Sequence, residues 1–209
     1  EHSYPKSLGN PNLGTSGPGS DAHHLRPSDI TLNGQRGSLK FATGSGTAGG
    51  SNGGWYPGDE WKGDVARIIM YMYLHYGDQC LPTYVTAGTT AVSDANMVNL
   101  LLQWNADDPV SQYEDNRNSY LGGSPNSNNY KQGNRNPFID NPYLATVIWG
   151  GPIAQNRWPA IFLDNTTFDL GNAISIYPNP SSNIVNISTY ITLDEIDIIT
   201  INGQVLQQI

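Results

Sequence analysis

Within residues 60–76 the apolar side chains Val65, Ile68, Ile69, Met72 and Tyr76 fall at i, i+3, i+4, i+7 and i+11. That spacing lines one face of a helix and predicts a helix over this stretch. A second stripe, Met97, Leu100, Leu101 and Trp104, predicts a helix over 94–106 with Ser93 as its cap. A third helix is expected to open at Pro109, a residue suited to a first turn. It carries Val110, Tyr113 and Arg117 near one face and fades by Gly122. A shorter helix over 30–36 would be capped by Ser28 or Asp29 and stopped by Gly37. Before it, residues 23–26 read as a short strand that Pro27 breaks. Residues 8–20, 42–54 and 122–136 are dense in Gly, Pro, Asn and Ser and read as loops. Residues 134–149 are punctuated by proline and then turn apolar.

The texture changes near residue 158. Short β-rich runs follow, AISIY over 173–177, NIVNIS over 183–188 and EIDIITI over 195–201. Asn202-Gly203 then forms a strong hairpin signal leading into QVLQQI. The pattern predicts an α+β chain with a largely helical body over 1–157, a linker over 158–172 and a small all-β module over 173–209.

Composition changes this picture in two places. The chain has 209 residues and a formal net charge of −8, which alone argues against a nucleic-acid partner. The distribution of charge along the chain points the other way. Residues 1–157 hold all 10 basic and 13 acidic residues, net −3, while residues 158–209 hold five acidic residues and no basic one. The body is therefore close to neutral and can still present a local basic surface. Cys80 is the only cysteine, so no intramolecular disulfide can form. It reads as a buried small hydrophobe rather than a nucleophile.

Candidate chemistry sits in EHSYPKS, residues 1–7, and in DAHHLRPSDITLNGQR, residues 21–36. Glu1, His2 and Asn33 supply a carboxylate, an imidazole and a neutral carbonyl. Two such oxygens suit a hard cation that keeps several waters, as Mg²⁺ does. An ordinary imidazole titrates near pH ~6.5 and can take a proton from water at neutral pH. The residues alone leave the plain reading open, in which Glu1-His2 is surface, one of His23 and His24 is a buried, hydrogen-bonded histidine, and Asn33-Gly34 is a turn.

Five blocks, EHSYPKS, SDAHHLRPSDITLNGQRG, GDVARIIMYMY, LLQWNADDPVSQYEDNRN and QGNRNPFIDNPYL, resemble the endonuclease I family in that family's order. The resemblance covers about residues 1–149. It implies a ββα-metal (His-Me finger) nuclease core with several packed helices. It also implies Mg²⁺-dependent cleavage of DNA and RNA with little sequence preference, leaving 5′-phosphates. Ca²⁺ and Mn²⁺ are the other candidate ions. Carried onto this sequence, Glu1 and Asn33 are the metal ligands and His2 the general base. His23 is expected behind the ligands, orienting them. Arg36 and Arg117 are candidate phosphate contacts at the reaction centre, each with a structural role as the alternative. Arg135, Lys6 and Lys40 are candidate nucleic-acid contacts. In that family a strand and helices precede Glu-His, the strand pairing with the His segment; by comparison this chain looks truncated at its start.

ISIYPNPSSNIVNIS followed by EIDIITINGQVLQQI is similar to the C-terminal sorting domain of type IX secretion substrates. The match rests on the turn through Tyr177, Pro178, Asn179 and Pro180 and on the hairpin at Asn202-Gly203-Gln204. It implies a small, here incomplete, β-sandwich, recognition by the secretion machinery, and a secreted or cell-surface location in a Gram-negative bacterium. A monomer is expected, with no membrane span. Two other readings stay open on the sequence. One is a catalytically inactive fragment or binding module on the same fold; the other is an extracellular adhesion protein in which the β-module does the binding.

Overall fold

The computed structural model describes residues 1–123, 130–162, 174–178, 180, 181, 183–189, 195–200 and 202–208. The chain divides into two units, Glu1–Pro159 and Ala160–Ile209.

The first unit is built around α2 (Lys62–Tyr76). The apolar stripe predicts burial on one face. In fact every residue from Gly63 to Met72 is buried, because α4 (Asn99–Asp107), α6 (Pro137–Asp140) and the turn at residues 22–24 all pack on this helix. Ile69, Met70 and Met72 have no exposed surface. Burial of side chains of this size contributes about 1.5–3 kcal/mol each. Charged residues share the core, Asp64, Arg67 and Glu114 among them. Arg67 donates from Nε and Nη2 to the two oxygens of Glu114, both at 2.7 Å, and from Nη1 to Asp108 O at 2.7 Å. Cys80 is buried, and that burial pushes its thiol up to about 12, so it stays protonated.

Several elements depart from the periodicity. α4 opens at Asn99 rather than residue 94, because Val98 bridges to Thr90 and Ala91 N–H donates to Met97 O, which holds 90–98 as a tight turn. Ser93 is no cap; its hydroxyl donates to Trp149 O. α5 (Gln112–Gly122) opens after Ser111, not at Pro109. A capping box decides it: Ser111 Oγ accepts from Glu114 N–H, and Glu114 Oε2 accepts from Ser111 N–H. The glycine-rich stretch 42–54 is not all loop. β1 (Gly49–Ser51) and β2 (Gly54–Tyr56) pair antiparallel around Asn52 and Gly53, whose φ of 48° and 75° suit a tight hairpin turn. α3 (Pro82–Val85) and α7 (Tyr143–Trp149) complete the body. α1 (Ile30–Arg36) stands as the sequence predicts, capped by Asp29 Oδ1 and stopped by Gly37 at φ 51°.

Past the start of α8 (Pro159–Phe162) the described elements are strands. β3 (Ile174–Tyr177) pairs antiparallel with β4 (Asn186–Thr189), and β5 (Asp197–Ile199) with β6 (Val205–Gln208). Asn202-Gly203 lies in the turn between β5 and β6, as expected. Most of the expected linker and Asn179 of the proline turn lie outside the described residues. Among the described residues no helix is long and apolar enough to cross a membrane.

Candidate active site

Glu1–Ser3 and residues 24–26 form a short antiparallel ladder. Glu1 and Arg26 exchange backbone hydrogen bonds of 2.7 and 2.9 Å, His2 bridges to Leu25, and Ser3 N–H donates to His24 O at 2.8 Å. The segment that pairs with Glu1–Ser3 here is 24–26. Residues 23 and 24 belong to a 3₁₀ turn (Ala22–His24) rather than a strand, because Asp21 Oδ1 accepts from His23 N–H and caps that turn. After Pro27 the chain enters α1, which carries Asn33. A groove of about 560 Å³ is lined by Glu1, His2, Lys6, Asn33 and Arg36. The two oxygen donors and the imidazole singled out from the sequence thus share one cavity.

Arg36 ties the two sides of this groove together. It ends α1 and is buried, and it reaches across to the first segment. Nη1 donates to Glu1 Oε1 at 2.5 Å and to His2 O at 3.0 Å; Nη2 donates to Ser3 O at 2.7 Å. Its guanidinium carbon lies 4.4 Å from the Phe41 ring centre. The guanidinium is committed to the chain itself, so the bracing alternative describes its contacts.

His2 Nε2 lies 3.0 Å from Gly19 O. A carbonyl only accepts, so Nε2 carries the proton and Nδ1 keeps a lone pair. The ring also stands edge-on to His24, 5.2 Å between centres. His24 is wholly buried, and among the described residues neither of its ring nitrogens has a hydrogen-bond partner. Burial, helped by the charge of His2, pulls it down to about 4, so it is neutral at pH 7.

Apart from Lys6, the remaining sequence candidates lie elsewhere. His23 does not stand behind Glu1 and Asn33. It is buried against Tyr71, 4.6 Å between ring centres, with Nε2 3.2 Å from Asn134 O. His24 is the histidine that touches His2. Arg117 donates from Nη2 to Ala22 O, and to Leu25 O at 2.6 Å, fixing the turn and the second ladder strand from α5. Irregular backbone leaves carbonyls in need of donors, and a guanidinium supplies several. Arg135 is paired with Asp140 at 2.5 Å, and Lys40 Nζ donates to Thr83 O at 2.8 Å. Lys6 is the lysine that lines the groove.

Asp21 anchors the whole segment. Its Oδ2 accepts from Tyr71 and Tyr76, each at 2.7 Å, joining the turn to α2. Burial alone would raise this carboxyl, but the two phenols and the His23 N–H bring it below the usual range. Sequence reasoning missed the contribution of Gly19 to orienting His2, since any residue carries a carbonyl. His24 could be found from the His23-His24 pair, but not distinguished within it.

Residues 1–143 match the family model described as Endonuclease I, and residues 175–209 match that of the secretion system C-terminal sorting domain. The chain belongs to the endonuclease I family. The curated relatives of this endonuclease I chain include the extracellular ribonuclease of Bacillus subtilis (strain 168). That protein is 41% identical over 162 residues, covering 71% of this chain and 53% of the relative. The extracellular ribonuclease of Bacillus amyloliquefaciens is 39% identical over 160 residues, with the same coverage of each chain. The chain therefore spans about half the length of the curated relatives it matches. No solved structure gives a significant match.

The endonuclease I domain contains, among its described residues, no group of three or more His, Cys, Asp or Glu side chains arranged to hold a metal ion. A site of one carboxylate, one amide carbonyl and water is sparser than that. The donors fit a hard cation on their chemistry: Glu1 Oε1 is held by Arg36 and its carboxylate is partly exposed, while Asn33 is exposed on α1 in the same groove.

Proposed function

We propose that the chain is a secreted, Mg²⁺-dependent endonuclease of the ββα-metal type that hydrolyses DNA and RNA with little sequence preference. The observation that carries this reading is the shared groove of Glu1, His2 and Asn33, with Nε2 of His2 turned to Gly19 O. Family membership and the extracellular ribonucleases among the relatives support it.

Glu1 and Asn33 would hold the metal, which when bound neutralises charge on the phosphate and on the leaving oxygen. His2 is the base. Its Nδ1 accepts a proton from the attacking water as the new P–O bond forms. The bond from phosphorus to the 3′ oxygen breaks, the 3′ oxygen leaves as a hydroxyl after gaining a proton from solvent, and the phosphate stays on the 5′ side. Gly19 O fixes the tautomer that leaves Nδ1 available and favours the imidazolium that forms. Lys6 adds a point charge in the groove for a neighbouring phosphate. Arg36 is a positioning residue, since it touches Glu1 and the backbone of His2 rather than substrate. The C-terminal domain would direct the chain to a type IX secretion system, placing the enzyme outside a Gram-negative cell.

Digestion of supercoiled plasmid and of total RNA tests this. Cleavage is expected with Mg²⁺, none with EDTA, and a loss of about 10²–10⁴-fold in His2→Ala. Full activity in His2→Ala, or in EDTA, would overturn the assignment.

A further inference from the structure

Glu1 also lines a second cavity, of about 470 Å³, whose walls include Phe41, Trp55, Trp61, Val65, Ile68 and Tyr113. Phe41 and Trp55 are buried, whereas Trp61 and Tyr113 are 41% and 43% exposed. These two rings stand edge-on, 6.1 Å between centres, and the Arg26 guanidinium carbon lies 4.8 Å from the Tyr113 ring centre and 5.9 Å from that of Trp61. The cavity thus joins an apolar floor to an exposed aromatic pair, and nothing in the chemistry of the groove uses it. Its lining is mostly apolar and aromatic, and its carboxylates outnumber its arginines, which disfavours a phosphate. Glu1, Asp29 and Asp64 line it beside a single arginine, Arg26, whose Nη2 is bonded to Asp64. What fits is flat, aromatic and uncharged.

Resting on the nuclease reading, we propose that this cavity is a nucleobase subsite that takes one base of a single-stranded substrate whose phosphate lies in the groove. Glu1 belongs to both cavities, so one nucleotide can span them. Stacking on aromatic side chains binds any base and does not read sequence. A base in a duplex would first have to leave its stack and its partner. The subsite therefore favours single strands over duplexes without favouring a sequence.

The test compares one unstructured oligoribonucleotide, alone and annealed to its complement, as substrates for the full chain with Mg²⁺. Trp61→Ala and Tyr113→Ala are each expected to lower the single-strand to duplex ratio of kcat/KM about tenfold, mainly through KM. Trp61→Phe, which keeps an aromatic face, is expected to recover most of it. An unchanged ratio in both alanine variants overturns the proposal. A second arm needs no cleavage. In the His2→Ala background, fluorescence anisotropy reads binding of a fluorescein-labelled single strand. Adding Trp61→Ala should weaken it about tenfold, and abasic positions in the oligonucleotide should weaken binding only while Trp61 is present. Binding insensitive to Trp61 overturns the subsite. Binding that depends on Trp61 in a chain whose wild type does not cleave supports the subsite and overturns the nuclease reading.

Discussion

Around α2 the chain is held by interlocked apolar side chains, with Ile69, Met70 and Met72 fully enclosed. Residues 1–41 are held differently. There the backbone runs through 3₁₀ turns and a three-residue ladder, and arginines from other elements supply the missing donors: Arg36 to His2 and Ser3, Arg117 to Ala22 and Leu25. Tyr4, Leu13 and Phe41 tie this region into the common core, but the segments that carry the chemistry, 1–3 and 21–26, add no side chain to it. They are fixed by a few directional bonds, so single changes there should alter geometry before they alter stability. In the helical scaffold the order should be reversed.

The sharpest way to break this comparison is in the scaffold. Arg67→Ala leaves Glu114 buried without its bidentate partner, and loss of one member of such a pair costs about 3–5 kcal/mol. Urea unfolding should report that loss. A change below about 1 kcal/mol would show that the ion pair does not hold the helices.

Acid should strike the site segment first. His24 is lowered to about 4 in the folded chain, against an ordinary value of about 6.5 when unfolded. Its contribution is complete above pH 6.5 and is lost as pH falls from there to about 4, because the unfolded chain binds the proton more readily. At about 1.4 kcal/mol per unit, the loss is roughly 3 kcal/mol. Unfolding curves at pH 7, 5 and 4 should show it, and His24→Leu should flatten that part of the profile relative to the wild type. Equal slopes in both proteins would remove His24 from the account.

Arg36→Ala should separate geometry from stability. Its bond to Glu1 is partly exposed, so the expected destabilisation is nearer about 1.5–3 kcal/mol. Cleavage should fall by more than tenfold at a temperature where the variant remains folded, with kcat affected more than KM. A proportionate loss in KM alone would make Arg36 a substrate contact rather than a brace.

The same division governs what could be read from the sequence. α2 was legible because its stripe and its burial express one physical cause, while the starts of α4 and α5 were displaced by local contacts that outrank periodicity, the Val98–Thr90 bridge and the Ser111–Glu114 box. The meeting of Glu1, His2 and Asn33 was legible through resemblance to a family, because no periodicity links residues so far apart. The arginines were harder. A guanidinium suits a phosphate and a row of loop carbonyls equally well, and only the fold says which is within reach.

In the tail, the apolar residues Ile187, Ile199, Val205 and Leu206 are all exposed on short strands. Nothing comparable to the α2 core appears among the described residues of that unit, and its register is carried by backbone pairing.

Arg36 has a last consequence, for anyone who would rebuild this site in another protein. Since one side chain closes the helix bearing Asn33 and also grips Glu1, His2 and Ser3, the ligands cannot be borrowed one at a time. Residues 1–36 would have to move together, and a new host must offer donors where Arg117, Tyr71 and Tyr76 now stand.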